Sequence, residues 1–199
     1  MKKAISLLIL LFMGCNNSST DSEKTAKEEN KEMIDSMKLN EGPSVMPSLS
    51  KADADFLVEA ASGEMMEVEL GKLAQAKSQR EQVRAFGSMM VRDHEAGGEK
   101  LRDLAGSKNI TLPAATSIDD HKLMKEKDDF DRAYITLMVD DHKKDIREFQ
   151  KMAKNGSDSE IKAFAAETLP MLYKHLDSAQ NLLKRMGPGR IPVSAPPYQ

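Results

Sequence analysis

The chain has 199 residues, 31% of them charged and 40% hydrophobic, with a formal net charge of −3 and no tryptophan. That is enough chain for one compact domain, and a mildly acidic balance without a basic stripe or much aromatic surface excludes a nucleic-acid-binding face. The single cysteine, Cys15, excludes an intramolecular disulfide and a cysteine metal cluster.

The N-terminus carries an address. Lys2 and Lys3 precede an apolar run from Ala4 to Met13, too short to span a bilayer as a permanent helix. The run ends in Phe12-Met13-Gly14-Cys15, which resembles a bacterial lipobox, in which a small residue precedes the cysteine that is lipidated. This predicts a signal peptide over 1–14 and membrane attachment through lipidated Cys15. The location expected is the bacterial cell envelope, at the outer membrane facing the periplasm. In the alternative, a plain secretory signal, Cys15 is incidental. Removing Lys2 and Lys3 with the signal takes the formal charge from −3 to −5.

Residues 15–50 are rich in Asn, Ser, Thr, Glu and Lys and read as a lipid-anchored flexible tether, apart from a transient turn near Met33 and Met37. Deleting 16–49 is therefore expected to leave stability nearly unchanged. At the other end Gly187-Pro188-Gly189 stops helical structure, and Pro192, Pro196 and Pro197 mark 187–199 as an extended tail. The domain lies between, over 51–186.

Within it apolar spacings of three and four recur in every segment. Ser50, three residues before Asp53, suits a helix N-cap. The first stripe is Phe56, Ala60, Gly63, Glu67, Leu70 and Ala74; the second, from Glu81, is Val83, Phe86, Met90, His94, Gly97, Leu101 and Leu104. Residues 110–117 break the pattern at Pro113, and 118–127 predict a short extra helix that holds a solvated His121. The third stripe, from about Asp128, is Phe130, Ile135, Met138, His142, Ile146, Phe149 and Met152, ending at Asn155-Gly156. Ser159 opens the fourth, with Ile161, Phe164, Thr168, Leu172, His175, Ala179 and Leu182, and Pro170 is expected to bend it. The prediction is all-α: a four-helix bundle of helices about 40 Å long, with room between the second and third for a crossover along the bundle.

Three of the four histidines and one acid, His94, His142, His175 and Glu67, fall near mid-helix on these stripes, one per helix. They are expected to converge in one layer of the core. Three imidazoles and a carboxylate suit a transition-metal ion such as zinc, iron or copper. The alternative is a hydrogen-bonded polar layer, since a buried acid needs partners in either case. With all four positions filled by protein, such a site would store or stabilise rather than catalyse. Glu64, one turn before Glu67, reads as a peripheral flank or a fifth oxygen ligand. Asp93 and Asp141 point about 100° from the adjacent histidines and suit a supporting role. Met90, Met138 and Met171 lie one turn from a layer histidine, as copper-directed thioethers or as core filler. No phosphate loop or nucleophile motif is present.

The run Glu64-Met65-Met66-Glu67-Val68-Glu69-Leu70-Gly71, with Val83-Arg84-Ala85-Phe86, Met89-Met90-Val91-Arg92-Asp93-His94, Leu112-Pro113, Phe130-Asp131-Arg132-Ala133-Tyr134, His142 and Leu169-Pro170 through His175-Leu176, resembles an exported bacterial family. It is the family known as domain of unknown function 4142. The resemblance covers about 51–186 and implies a ferritin-like bundle in the envelope, without a known reaction. The di-iron pattern Glu-x-x-His is absent, because Val91, Val139 and Leu172 stand three residues before the histidines. The reading that follows is a lipid-anchored bundle that binds a metal or serves envelope stress or interaction, without turnover. A redox enzyme using a bundle metal and a metal-free interaction module are the alternatives, and no protein partner is named by the sequence.

Overall fold

The computed structural model describes residues 19–40, 49–116 and 130–187. Cys15, the short helix expected over 118–127, His121 and the tail beyond Gly187 lie outside the described residues. Those described form five helices: α1 (Ser19–Asn40), α2 (Lys51–Lys77), α3 (Glu81–Ser107), α4 (Phe130–Asn155) and α5 (Ser159–Arg185). There is no strand among them.

The helix starts follow from local chemistry. Ser50 caps α2 through a reciprocal box, its Oγ accepting from the Asp53 amide while Asp53 Oδ2 accepts from the Ser50 amide at 2.8 Å. Asp53 Oδ1 also accepts from the Ser157 amide at 2.9 Å, so one carboxylate ties the start of α2 to the turn between α4 and α5. Asp158 caps α5 through the amides of Glu160 and Ile161 and receives Lys108 Nζ at 2.8 Å from the end of α3. Helix α5 runs on through Pro170.

Three-residue turns fold α2 back on α3 and α4 back on α5, and the two hairpins pack through α3 against α5 and α2 against α4. At the α2–α3 crossing a Cβ on Gly71 would sit 2.8 Å from the Gly87 carbonyl oxygen, and one on Gly87 2.7 Å from that of Gly71. Only glycine allows that approach. Arg80 before α3 pairs with Asp131 in the first turn of α4, whereas Lys108 after α3 pairs with Asp158 before α5. Helices α3 and α4 therefore start at the same end of the bundle.

Within the tether expected over 15–50, Ser19–Asn40 is instead the helix α1, while 15–18 and 41–48 lie outside the described residues. Helix α1 packs on α2 and buries Ala26, Asn30 and Ile34, four residues apart. Asn30 clasps the backbone of Thr111 in both directions, Nδ2 donating to its carbonyl at 2.8 Å and Oδ1 accepting from its amide at 2.7 Å. Lys27 Nζ bridges Glu23 and, on α2, Glu59 at 2.7 Å. A polar sequence can hold a helix in place when its few buried positions fall on one stripe and its buried amide is fully paired. Deleting 16–49 would remove these contacts, which weigh against the expectation of nearly unchanged stability.

The core is in two parts. One cluster gathers Phe56, Leu57, Leu101, Ile146, Phe149 and Ile161, and extends to Ile34 of α1. The other gathers Leu70, Phe86, Met90, Tyr134, Ile135 and Met138. The polar residues of the mid-helix layer lie between them in sequence on every helix.

Candidate metal centre

All four layer residues come together. His94 (α3), His142 (α4) and His175 (α5) are at most 1% exposed and Glu67 (α2) is 3% exposed. The imidazole centroids are 5.7 Å apart for His94 and His142, 5.1 Å for His94 and His175, and 5.4 Å for His142 and His175. One nitrogen from each ring lies within 4.8 Å of the other two.

Hydrogen bonds fix which nitrogen that can be. His142 Nδ1 lies 3.0 Å from the Met138 carbonyl oxygen, which can only accept, so Nδ1 carries the proton. His175 Nε2 lies 3.0 Å from Asp93 Oδ2, and His94 Nδ1 lies 2.9 Å from Glu64 Oε2, so each donates to a carboxylate. A neutral imidazole has one N–H and one lone pair. The lone pairs are thus left on His142 Nε2, His175 Nδ1 and His94 Nε2. The first two face each other at 3.3 Å, and the third is buried without a partner. Two facing lone pairs repel unless a proton or a cation lies between them. Securing the outer nitrogen on a carbonyl or carboxylate is how proteins orient imidazoles toward a metal.

Electrostatics keep His142 and His175 neutral. Burial, then the neighbouring His94 and His175, push His142 down to about 3. Burial pushes His175 down to about 4, although its bond to Asp93 works in the other direction. Burial opposes ionisation of Asp93, yet its bonds with His175 and Arg92 hold its carboxyl below the ordinary value.

Glu67 stands behind the rings. Its oxygens approach the proton-bearing Nδ1 atoms, 3.1 Å from His94 and 3.3 Å from His142, but both protons are already committed to Glu64 and Met138. Its Oε1 is buried with no hydrogen bond. Glu67 instead gathers with Asp141 and Asp145, one oxygen from each within 4.8 Å of the others. Burial, and then Asp145, Asp141 and Glu64, drive the Glu67 carboxyl well above its usual range. Burial and Asp141 raise Asp145 to about 7, and burial raises Asp141.

Glu64, expected at the periphery, is buried and holds His94 directly. Gly97 makes room for it, since a Cβ there would lie 2.8 Å from Glu64 Oε1. Asp93 supports His175, an inter-helix pairing that the sequence placed only as a supporting role. Asp145 was not singled out, although its place one turn after Asp141 is the signal that would have found it. The Thr168 hydroxyl donates to the Phe164 carbonyl at 2.8 Å. Met90 and Met138 are buried in one apolar cluster, and Met171 packs against the other.

Residues 38–182 match the family described as Domain of unknown function (DUF4142), and the chain belongs to it. No curated protein matches the chain. Among solved structures it is similar to "CopM in the Cu(I)-bound form", at 13% identity and a TM-score of 0.61, over 68% of this chain and 98% of that one. It is also similar to a DUF305 fragment from Deinococcus radiodurans, at 12% identity and a TM-score of 0.60, over 70% of this chain and 99% of the other. At such identities the likeness shows a shared helical fold.

Proposed function

We propose that this member of the family is a lipid-anchored protein of the bacterial envelope, a ferritin-like four-helix bundle that holds one copper(I) ion on His94, His142 and His175. The observation that carries the reading is the set of three buried lone pairs turned inward while each outer nitrogen is bonded away from the centre. The spacing fits an ion: two nitrogens about 2.0–2.1 Å from a tetrahedral metal stand roughly 3.3–3.4 Å apart, against 3.3 Å for His142 and His175. Imidazole accepts zinc, iron and copper alike, but a neutral, buried ligand set favours the ion of lowest charge, whose desolvation costs least. The Cu(I) form of the structural neighbour supports the same choice. The part played is storage or delivery of the ion in the envelope. Three nitrogens leave a coordination position open, which is the feature that favours a redox enzyme as the second reading.

The test is a competition titration of the untagged full chain with a chromophoric Cu(I) chelator under reductant. One ion per chain is expected, lost in His142→Ala and in His175→Ala and kept in His121→Ala. Failure of the wild type to hold Cu(I) or Zn(II) would leave a metal-free polar layer. The anchor rests on Gly14-Cys15: Cys15→Ala should move the chain from the membrane to the soluble fraction, because acyl chains supply the buried CH₂ groups that hold it. A wild type that is already soluble and carries no lipid would remove that part of the reading.

A further inference from the structure

We propose that Glu67, Asp141 and Asp145 form a second cation site, for an oxygen-preferring divalent ion of the Mn(II) class, beside the imidazole set and distinct from it. Each of the three carboxylates offers an oxygen within 4.8 Å of the others. Trans oxygens around one ion of manganese to calcium size stand roughly 4–5 Å apart, so the cluster needs little rearrangement to close on one.

Crowded carboxylates alone would say little, but two further observations point to a missing ligand. Glu67 is 3% exposed, and its Oε1 has no hydrogen-bond partner. Asp141 Oδ2 is likewise buried without one. A buried carboxyl oxygen left without a hydrogen bond is costly, and a cation would be the natural complement of these atoms. Lys27 is engaged elsewhere, 2.8 and 2.7 Å from Glu23 and Glu59. Lys144 pairs with Glu148 at 3.7 Å and also lends its charge to Glu67, Asp141 and Asp145 from the wall of the cavity.

There is also space. A cavity of about 170 Å³ reaches Glu67, Asp141 and Asp145 from the surface between α2 and α4. At about 30 Å³ per water this admits an ion with several of its waters. The donor chemistry separates the two sites. Neutral nitrogens suit Cu(I), whereas three carboxylates suit Mn(II), Ca(II) or Mg(II). Because Glu67 lies on the Nδ1 side of His94 and His142, it can serve the acidic site without competing for the inward lone pairs.

The experiment titrates Mn(II) into the full chain and follows loss of the free-ion signal by electron paramagnetic resonance. One Mn(II) per chain is expected, weakened at least tenfold in Asp145→Asn and in Glu67→Gln, with circular dichroism confirming that each variant is folded. His175→Ala empties the imidazole set and should keep the Mn(II). That arm separates the two readings, since a chain that binds Mn(II) but no Cu(I) refutes the histidine site alone. Absence of stoichiometric Mn(II) binding in the wild type, or binding unchanged in both carboxylate variants, would overturn the proposal.

Discussion

Proton release on metal binding offers a quantitative check on the histidine layer. A neutral imidazole takes a metal directly, whereas a protonated one must first lose its proton. At pH 6 an unperturbed imidazole, with a pKa of about 6.5, is roughly three-quarters protonated, so three of them would release about 2.3 protons per ion. Burial holds His142 at about 3 and His175 at about 4, so both are deprotonated at that pH and together release almost none. With those two accounted for, a layer of three rings can release at most about one proton. The sign follows for affinity: protonation competes only below the folded-state values. Between pH 7 and pH 5 an ordinary pair would lose affinity several hundredfold, whereas these two lose less than about twofold. Isothermal titration with Zn(II) at pH 6, repeated in buffers of different ionisation heat, counts the protons directly. Release of two or more would show that the layer is hydrated or open, and the argument from buried lone pairs would fail.

Asn30→Ala should destabilise the chain by about 2–3 kcal/mol in urea unfolding, because it strips the partners from the Thr111 amide and carbonyl together; no change would mean that α1 is not docked. In the metal-free chain Asp145 binds its proton at about 7 when folded, against an ordinary 3.8. Its stabilising proton is therefore fully present below the unfolded value and lost as pH rises through the folded one, and Asp145→Asn should stabilise at pH 8, by at most roughly 4 kcal/mol, and hardly at pH 4. Gly97→Ala should push the Glu64 carboxylate off His94 and weaken metal binding about 10- to 100-fold in the same Cu(I) competition, with the helical spectrum unchanged.

The four long helices were legible because spacings of three and four recur along each, anchored by apolar residues from Phe56 through Leu182. The caps were legible too, since Ser50 with Asp53 is a local pattern that needs no tertiary information. The convergence of Glu67, His94, His142 and His175 followed from counting residues to mid-helix, a quantity that survives errors of a few residues at the ends. Helix α1 was hidden for a physical reason. Its stripe holds Ala26 and Ile34 around an asparagine, and Asn30 belongs in the core only because Thr111, 81 residues away, presents a free amide and carbonyl. Partners across helices were equally invisible: His175 takes its acceptor from Asp93 and His94 takes its own from Glu64, pairings that depend on how the hairpins dock. The sequence placed Glu67 among the ligands by depth alone, and depth does not say which side of a ring a carboxylate meets.

The apo layer carries a local conflict that explains why it is built this way. Three imidazoles and a carboxyl group sit between two apolar clusters, with His94 Nε2 and Glu67 Oε1 unpaired and the lone pairs of the neutral His142 and His175 facing each other. Each unpaired buried polar atom costs about 1–3 kcal/mol, and the rest of the fold must absorb that cost. Glycine contacts that bring α2 and α3 together, the double use of Asp53, and the α1 clasp on Thr111 all lie away from the layer and hold the helices at fixed separation. The layer therefore cannot relieve its conflict by collapsing, because the backbones around it are already locked. A cation satisfies the inward nitrogens without moving a helix, and ions that bind only the folded chain stabilise it by about 2.7 kcal/mol at a hundred times their dissociation constant. A rigid frame around an unsatisfied centre is thus what couples ion binding to the stability of the whole bundle.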